Sequence, residues 1–163
     1  MSSDLTSPVV RRSMGVLVQS EVMGEQLFGI AERHAHVPRD RQMWQALHAL
    51  EEQTREAIFT RLGEEIDGFA RSARIARAAG TASGAGLWLM PRRLQMQSVA
   101  LGTKPFIAHF RRLEQHFAGS AHGPFFHYVL AHEYAIAELA RRTLANADDA
   151  LTPVENLLGA VPG

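Results

Sequence analysis

The chain has 163 residues, with 17 basic and 17 acidic side chains and no cysteine. This length fits one domain that buries its own core. The balanced charge disfavours nucleic acid and anionic membrane surfaces as partners. Without cysteine the chain forms no disulfide, thiolate zinc site or iron–sulfur cluster, so any metal would need Glu, Asp and His as ligands.

The N-terminus lacks the apolar segment of a secretion signal, and no stretch approaches the roughly 20 apolar residues of a membrane span. We therefore expect a cytoplasmic protein that does not enter a membrane. One helical domain is predicted over residues 1–163. Residues 1–12 show little pattern and are predicted to form a mobile arm, and residues 147–163 a C-terminal tail.

Helical spacing of apolar and small residues predicts two long helices in the first half of the chain. The first is expected over residues 13–35 and the second over residues 39–62 or beyond, separated by Pro38. The apolar and small residues of each helix form a stripe along one face. Each stripe has polar residues at its centre, namely Glu21 in the first helix and Glu51 with Thr54 in the second. The stripes contain Leu17, Gly24, Phe28 and Ala31 in the first helix, and Trp44, Leu47, Ile58 and Leu62 in the second.

The second half of the chain predicts an interrupted third helix and a continuous fourth one. Residues 80–86 (GTASGAG) have linker composition. Helical pieces are expected over residues 87–101 and 105–118, and the last helix over residues 125–146, with Phe126, Val129, Ile136 and Ala140 in its stripe. The predicted fold is all-α, an up-down four-helix bundle with a broken third helix and a long crossover.

Polar residues inside the stripes coincide in height across both predicted hairpins. Glu21 lies 16 residues before Val37 and Glu51 lies 14 residues after it. His109 and Glu133 each lie 12 residues from Ala121. Since antiparallel helices rise equally per residue, each pair should meet in the interior.

Two further histidines are close to these positions. His48 precedes Glu51 by three residues on nearly the same face, and His132 could replace Glu133 if the last helix is rotated by one position. Buried carboxylates are costly unless they are paired, protonated or bound to a cation, and a shared metal would relieve that cost. Taken singly, each Glu could instead lie at the edge of its stripe in water, and each His could be a hydrogen-bonded structural residue.

The stretch from Glu21 to Phe28 (EVMGEQLF), with Trp44 to Leu62 (WQALHALEEQTREAIFTRL), resembles the first hairpin of the ferritin-like superfamily. In its carboxylate-bridged members helices one and three each give a Glu, and helices two and four each give a Glu-x-x-His. The resemblance matches Glu21 and Glu51 to the first two glutamates. Thr54 and Ile136 stand where the two histidines would be. On helix three, only Gln97 or His109 could take the place of the glutamate ligand.

Two functions follow as expectations. The resemblance implies a metal-dependent oxidoreductase that uses non-haem iron or manganese, with an altered ligand set drawn from Glu21, Glu51, Glu133, His48, His109 and His132. The alternative is a metal-free bundle that binds a small apolar ligand or mediates assembly. The apolar run from Leu87 to Met90 would be exposed unless something covers it, so we also expect a homodimer.

Overall fold

The structure, a computed structural model, describes residues 7–162, and in that range it consists of helices and turns without a β-strand. The predicted all-α class is therefore confirmed. A 3₁₀ segment, Gly63–Phe69, connects the second and third helices. The α-helices are α1 (Pro8–His34), α2 (Pro38–Leu62), α3 (Ala70–Trp88), α4 (Arg92–Gly102), α5 (Lys104–His116), α6 (Gly123–Leu144) and α7 (Thr152–Glu155).

The stripes predicted for α1, α2 and α6 face the interior. In α2 every stripe residue is buried, and so are Glu51 and Thr54 between them. Pro38 begins α2, at the helix position where a missing N–H has no cost. Gly63 ends it with a φ of 41°, a left-handed conformation that side-chain-bearing residues rarely adopt, so the apolar pattern beyond residue 62 belongs to a separate element.

The linker predicted at residues 80–86 is wrong, because this segment lies within α3. Its small residues allow α3 to pack closely on α1. A methyl group on Gly80 would overlap the carbonyl oxygen of Met23, and one on Gly84 would lie 3.0 Å from that of Leu27. Glycine here serves a close helix approach, which local sequence cannot distinguish from a turn.

The third helix of the prediction is broken as expected, between α4 and α5 at Thr103. The continuous piece expected over residues 87–101 is not formed, because α3 ends at Trp88 and α4 begins only at Arg92, after Pro91. Pro91 has the extended conformation (ψ 144°) of a residue that precedes a helix.

The helices surround two apolar clusters with a polar layer between them. α1 packs on α2, α3 and α5, and α6 packs on α4 and α5. One cluster includes Leu17, Ile58, Phe110 and Phe125. The other includes Trp44, Leu50, Met96 and Leu139. On α1, α2 and α6 the buried glutamates, Thr54 and His132 lie between these two sets, so the layer crosses the middle of the molecule.

Parts of both predicted terminal segments are helical in the described residues. The mobile arm is wrong for residues 8–12, which begin α1, while residues 1–6 lie outside the described part of the chain. The C-terminal tail contains α7, whose Val154 is fully buried in the second cluster. Gln53 donates a hydrogen bond to the carbonyl of Leu157 (2.9 Å) and accepts one from the amide of Gly159 (2.6 Å).

Candidate metal centre

Three glutamates and one histidine form the polar layer between the two clusters. Glu21 is 1% exposed, Glu51 4%, His132 0% and Glu133 3%. They come from α1, α2 and α6, at the centre of each helix. In the described part of the chain no Lys or Arg pairs with any of the three carboxylates. Their charge is therefore left without a cationic side chain.

The imidazole of His132 lies between two of the carboxylates. Its Nδ1 is 3.6 Å from Oε1 of Glu21, and its Nε2 is 3.8 Å from Oε1 of Glu51. Both distances exceed those of a hydrogen bond. Among the described residues, neither ring nitrogen of His132 and neither carboxylate oxygen of Glu21 has a hydrogen-bond partner, although all are buried. Such groups are rare in native proteins and indicate a missing partner.

The spacing of the donor atoms suits a metal ion. One ligand atom from each of Glu21, His132 and Glu133 lies within 4.8 Å of the others. Metal–ligand bonds of about 2.0 to 2.2 Å place two ligands of one ion up to about 4.4 Å apart, so small side-chain movements would close the site. Carboxylate and imidazole donors suit iron, manganese and zinc.

Burial shifts the protonation of every group in the layer towards its neutral form. It raises the pKa of Glu21 to about 8, an effect that polar interactions with Glu51 and Ser20 partly offset. Burial, followed by the charges of Glu21 and Glu133, raises the pKa of Glu51 well above its usual range. Burial and the charge of Glu21 also raise the pKa of Glu133 well above its usual range. Burial has the opposite effect on the imidazole and lowers the pKa of His132 to about 3.

These shifts predict that the metal-free chain loses stability as pH rises from about 6.5 to 8. In this range the folded state still holds protons on Glu21, Glu51 and Glu133, whereas the unfolded chain has already released them. Because the folded state binds more protons than the unfolded state, a rise in pH disfavours folding until the folded carboxyls have also ionised. His132 does not change this slope, because above its ordinary pKa of 6.5 the imidazole is neutral in both the folded and the unfolded state. Each titrating carboxyl contributes up to about 1.4 kcal/mol per pH unit.

Urea unfolding in the presence of a chelator, at several pH values in this window, measures the slope. Glu21→Gln should give a shallower slope than the unaltered chain, since it removes one titrating carboxyl. Stability that rises with pH across the window would show that these carboxyls are not buried in neutral form.

A hydrogen-bonded tyrosine borders the layer. The hydroxyl of Tyr128 accepts a hydrogen bond from Nε2 of Gln53 (2.8 Å) and lies 3.0 Å from the hydroxyl of Thr54. Tyr128 is one helical turn before His132 on α6, and burial with the charges of Glu21 and Glu51 raises its pKa. Thr54, which stands where the ferritin-like pattern has a His, therefore bonds to Tyr128.

A glycine makes room for one of the carboxyls. A methyl group on Gly24 of α1 would overlap the carboxyl group of Glu51. The side chain of Glu51 thus lies directly against the backbone of α1, one turn after Glu21. The helical spacing of α1 predicts Gly24 on the inner face but does not predict this contact with Glu51.

A cavity of about 420 Å³ reaches the layer from the surface. Glu51 and Glu133 line its buried part, and the side chains around them are mainly apolar. Residues of α1, α3, α4, α5 and α6 form its walls. The carboxylates are therefore accessible to a small molecule although they are buried from bulk water.

The structure brings together Glu21, Glu51, Glu133 and His132, and it places the other two predicted residues elsewhere. His109 is only half-buried, and its Nδ1 lies 3.1 Å from the hydroxyl of Ser13. Its predicted inward position is wrong because α5 buries Phe110, the next residue, instead. His48 is also outside the layer, with its Nδ1 2.8 Å from Oε2 of Glu32.

The sequence predicts His132 and Glu133 as alternatives on the inner face of the last helix, yet both are buried. Eleven residues of α6 are buried, including several adjacent pairs, because neighbouring elements cover more than one of its faces. The apolar residues on both sides of this pair were the available signal. A single-stripe pattern assumes that only one face of a helix is covered.

Comparison with protein families, with curated proteins and with solved structures finds no match to this chain. No helix in the described residues is both long and apolar enough to cross a lipid bilayer.

Proposed function

We propose that Glu21, His132 and Glu133 bind a divalent metal ion, iron or manganese, and that Glu51 completes the centre. The observation that carries this proposal is the set of buried carboxylate and imidazole atoms without hydrogen-bond partners. Glu51 faces the second ring nitrogen of His132, as carboxylates commonly do beside a metal-bound histidine. This contact would orient the imidazole towards the other two ligands.

The chemistry that such a metal supplies when bound is redox exchange and activation of a small oxidant or substrate. The chain contributes a mainly apolar pocket, a buried imidazole and carboxyls whose raised pKa values a bound cation would lower again. These properties support a metal-dependent oxidoreductase with an altered ligand set.

The ferritin-like bundle remains part of the same proposal. α1, α2, the α4–α5 pair and α6 would be its four helices, with α3 packed on α1 in place of an extended crossover. Glutamates on the first, second and fourth of these helices support it. The ligand set differs from the superfamily pattern because the histidine precedes Glu133 directly and the position of Thr54 gives none.

Elemental analysis of protein purified from metal-replete cells without chelators tests the proposal. We expect about one equivalent of iron or manganese per chain, as one compact set of carboxylate and imidazole donors would hold. A chain that retains no transition metal, and that binds none when iron(II) or manganese(II) is titrated in, would refute the metal centre.

The second candidate function is a metal-free bundle that binds a small apolar ligand. The 420 Å³ cavity favours it, and the raised pKa values of Glu51 and Glu133 allow both carboxyls to stay neutral beside such a ligand. Metal content separates the two functions. Ligand binding by a chain that holds no metal would support this second candidate.

We further propose that the protein forms a homodimer through the α3–α4 turn and α4. Leu89 is 75% exposed, and Leu94 and Leu101 are each more than 40% exposed on the same stretch. A second copy would bury this patch symmetrically. Sedimentation equilibrium should show a dimer for the unaltered chain and a monomer for Leu94→Glu, with the helical circular dichroism spectrum of the unaltered chain. A monomeric unaltered chain at high concentration would contradict the dimer.

A further inference from the structure

The cavity that reaches Glu51 and Glu133 has a buried end and an exposed mouth. Val99 and Ile136 line the cavity together with the two carboxyls, and all four side chains are buried. Ser83, Met90 and Ser98 are exposed and mark the mouth, which lies between α3 and α4. A molecule that enters here passes mainly apolar side chains before it meets a carboxyl.

The charge of the lining restricts what can bind. Among the described residues that line the cavity there is no Lys, Arg or His, and Glu51 and Glu133 are the only ionisable groups of that set. A divalent ion would not cancel the charge of the three ionised carboxylates in the layer. The buried end is therefore electronegative or neutral in every state, so a carboxylate or phosphate group would be repelled there.

The volume limits the size of the ligand. A dry apolar cavity of about 150 Å³ is large enough for benzene, so one of 420 Å³ with an open mouth holds a molecule of about ten to fifteen non-hydrogen atoms. The apolar walls favour an alkyl chain or ring system. The carboxyls at the buried end favour a hydroxyl or other uncharged hydrogen-bonding group there.

From these observations we infer that the cavity is the substrate pocket of the centre and takes a neutral, mainly apolar molecule with one uncharged polar end. This inference rests on the proposed function, because it assigns a substrate to the carboxylate and imidazole cluster. The polar end lies at Glu51 and Glu133, and the apolar body lies between α1, α3 and α4.

Decan-1-ol and decanoate are matched probes, because they share a chain length and differ in the charge of the end group. Isothermal titration calorimetry with the metal-loaded chain should show binding of decan-1-ol and at least tenfold weaker binding of decanoate. Equal or tighter binding of decanoate would overturn the assigned ligand class.

Gly86 provides a way to fill the pocket without disturbing the fold. It lines the cavity, and a Cβ added there would meet no atom within 4 Å. Gly86→Leu should therefore weaken decan-1-ol binding at least tenfold. Val99→Phe, which enlarges a buried wall residue, should have the same effect. Gly68→Leu is the matched control, because Gly68 also has open space around it and lies outside the cavity.

Metal content, measured on the same samples, distinguishes failure of the pocket from failure of the centre. All three variants should retain the metal of the unaltered chain and its melting temperature to within a few degrees. Decan-1-ol binding that is absent, or unchanged in both pocket variants while metal is retained, would overturn the pocket and leave the centre standing. A chain without metal whose decan-1-ol binding is blocked by Gly86→Leu would refute the centre and keep the pocket.

Discussion

Glu21→Gln is expected to remove the metal from the protein. Glu21 lies next to Glu51, Glu133 and His132, and neither of its carboxylate oxygens has a hydrogen-bond partner among the described residues. The amide that replaces it is uncharged and a far weaker ligand for iron or manganese. We expect a loss of affinity of at least 100-fold, above the roughly 10- to 100-fold typical of residues that only support a ligand.

The stability of the same variant without metal should move in the opposite direction. Near pH 8, where the carboxyl of Glu21 ionises, its charge disfavours the folded state, so the glutamine chain should be more stable than the unaltered one. The difference should shrink as pH falls and vanish only below about 4.5, the ordinary pKa of Glu21, because between that pH and 8 the unfolded chain is ionised at Glu21 and the folded chain is not.

Glu52→Gln is the control for this experiment, because it makes the same chemical change at an exposed position of α2. It should leave metal content and stability almost unchanged. If Glu21→Gln retained the metal of the unaltered chain, Glu21 would not be a ligand and the proposed centre would be wrong. Equal metal loss in both variants would indicate that the metal is bound at the surface.

Trp44→Ala should lower the free energy of unfolding by about 3 to 5 kcal/mol, the usual effect of truncating a buried aromatic side chain. Trp44 is 3% exposed and stacks on Phe28 of α1, with ring centroids 5.9 Å apart. Its removal leaves a cavity in the apolar cluster that joins α1, α2 and α6. Urea unfolding followed by circular dichroism measures the change.

Trp88→Ala is the matched control, because the chain's other tryptophan is 41% exposed at the end of α3. Its loss should cost much less, since part of its surface is already in water. Similar destabilisation by the two substitutions would contradict the different burial of the two rings. An unchanged midpoint for Trp44→Ala would contradict the packing of α2 on α1.

Local sequence was sufficient to determine the helices that have one buried face. The stripe of α2, including Glu51, follows from helical spacing because this helix turns one main face to the core. The stripe of α1, including Glu21, is also buried, because it lies within the wider surface of α1 that the neighbouring helices cover. The break between α4 and α5 is also local, since glycine and proline act on the backbone at their own positions. The centre's two glutamates from the first hairpin could therefore be predicted.

Only the tertiary structure decided the features that depend on contacts between distant segments. The backbone of α1 lies close enough to α3 that Gly80 and Gly84 serve packing, so the predicted linker is helical. α6 is covered on several faces, which buries His132 and Glu133 together, and the rotation of α5 points Phe110 inward and leaves His109 beside Ser13. The same glycine or histidine is compatible with a turn, a surface or a core, and its role is fixed by the helix that packs against it.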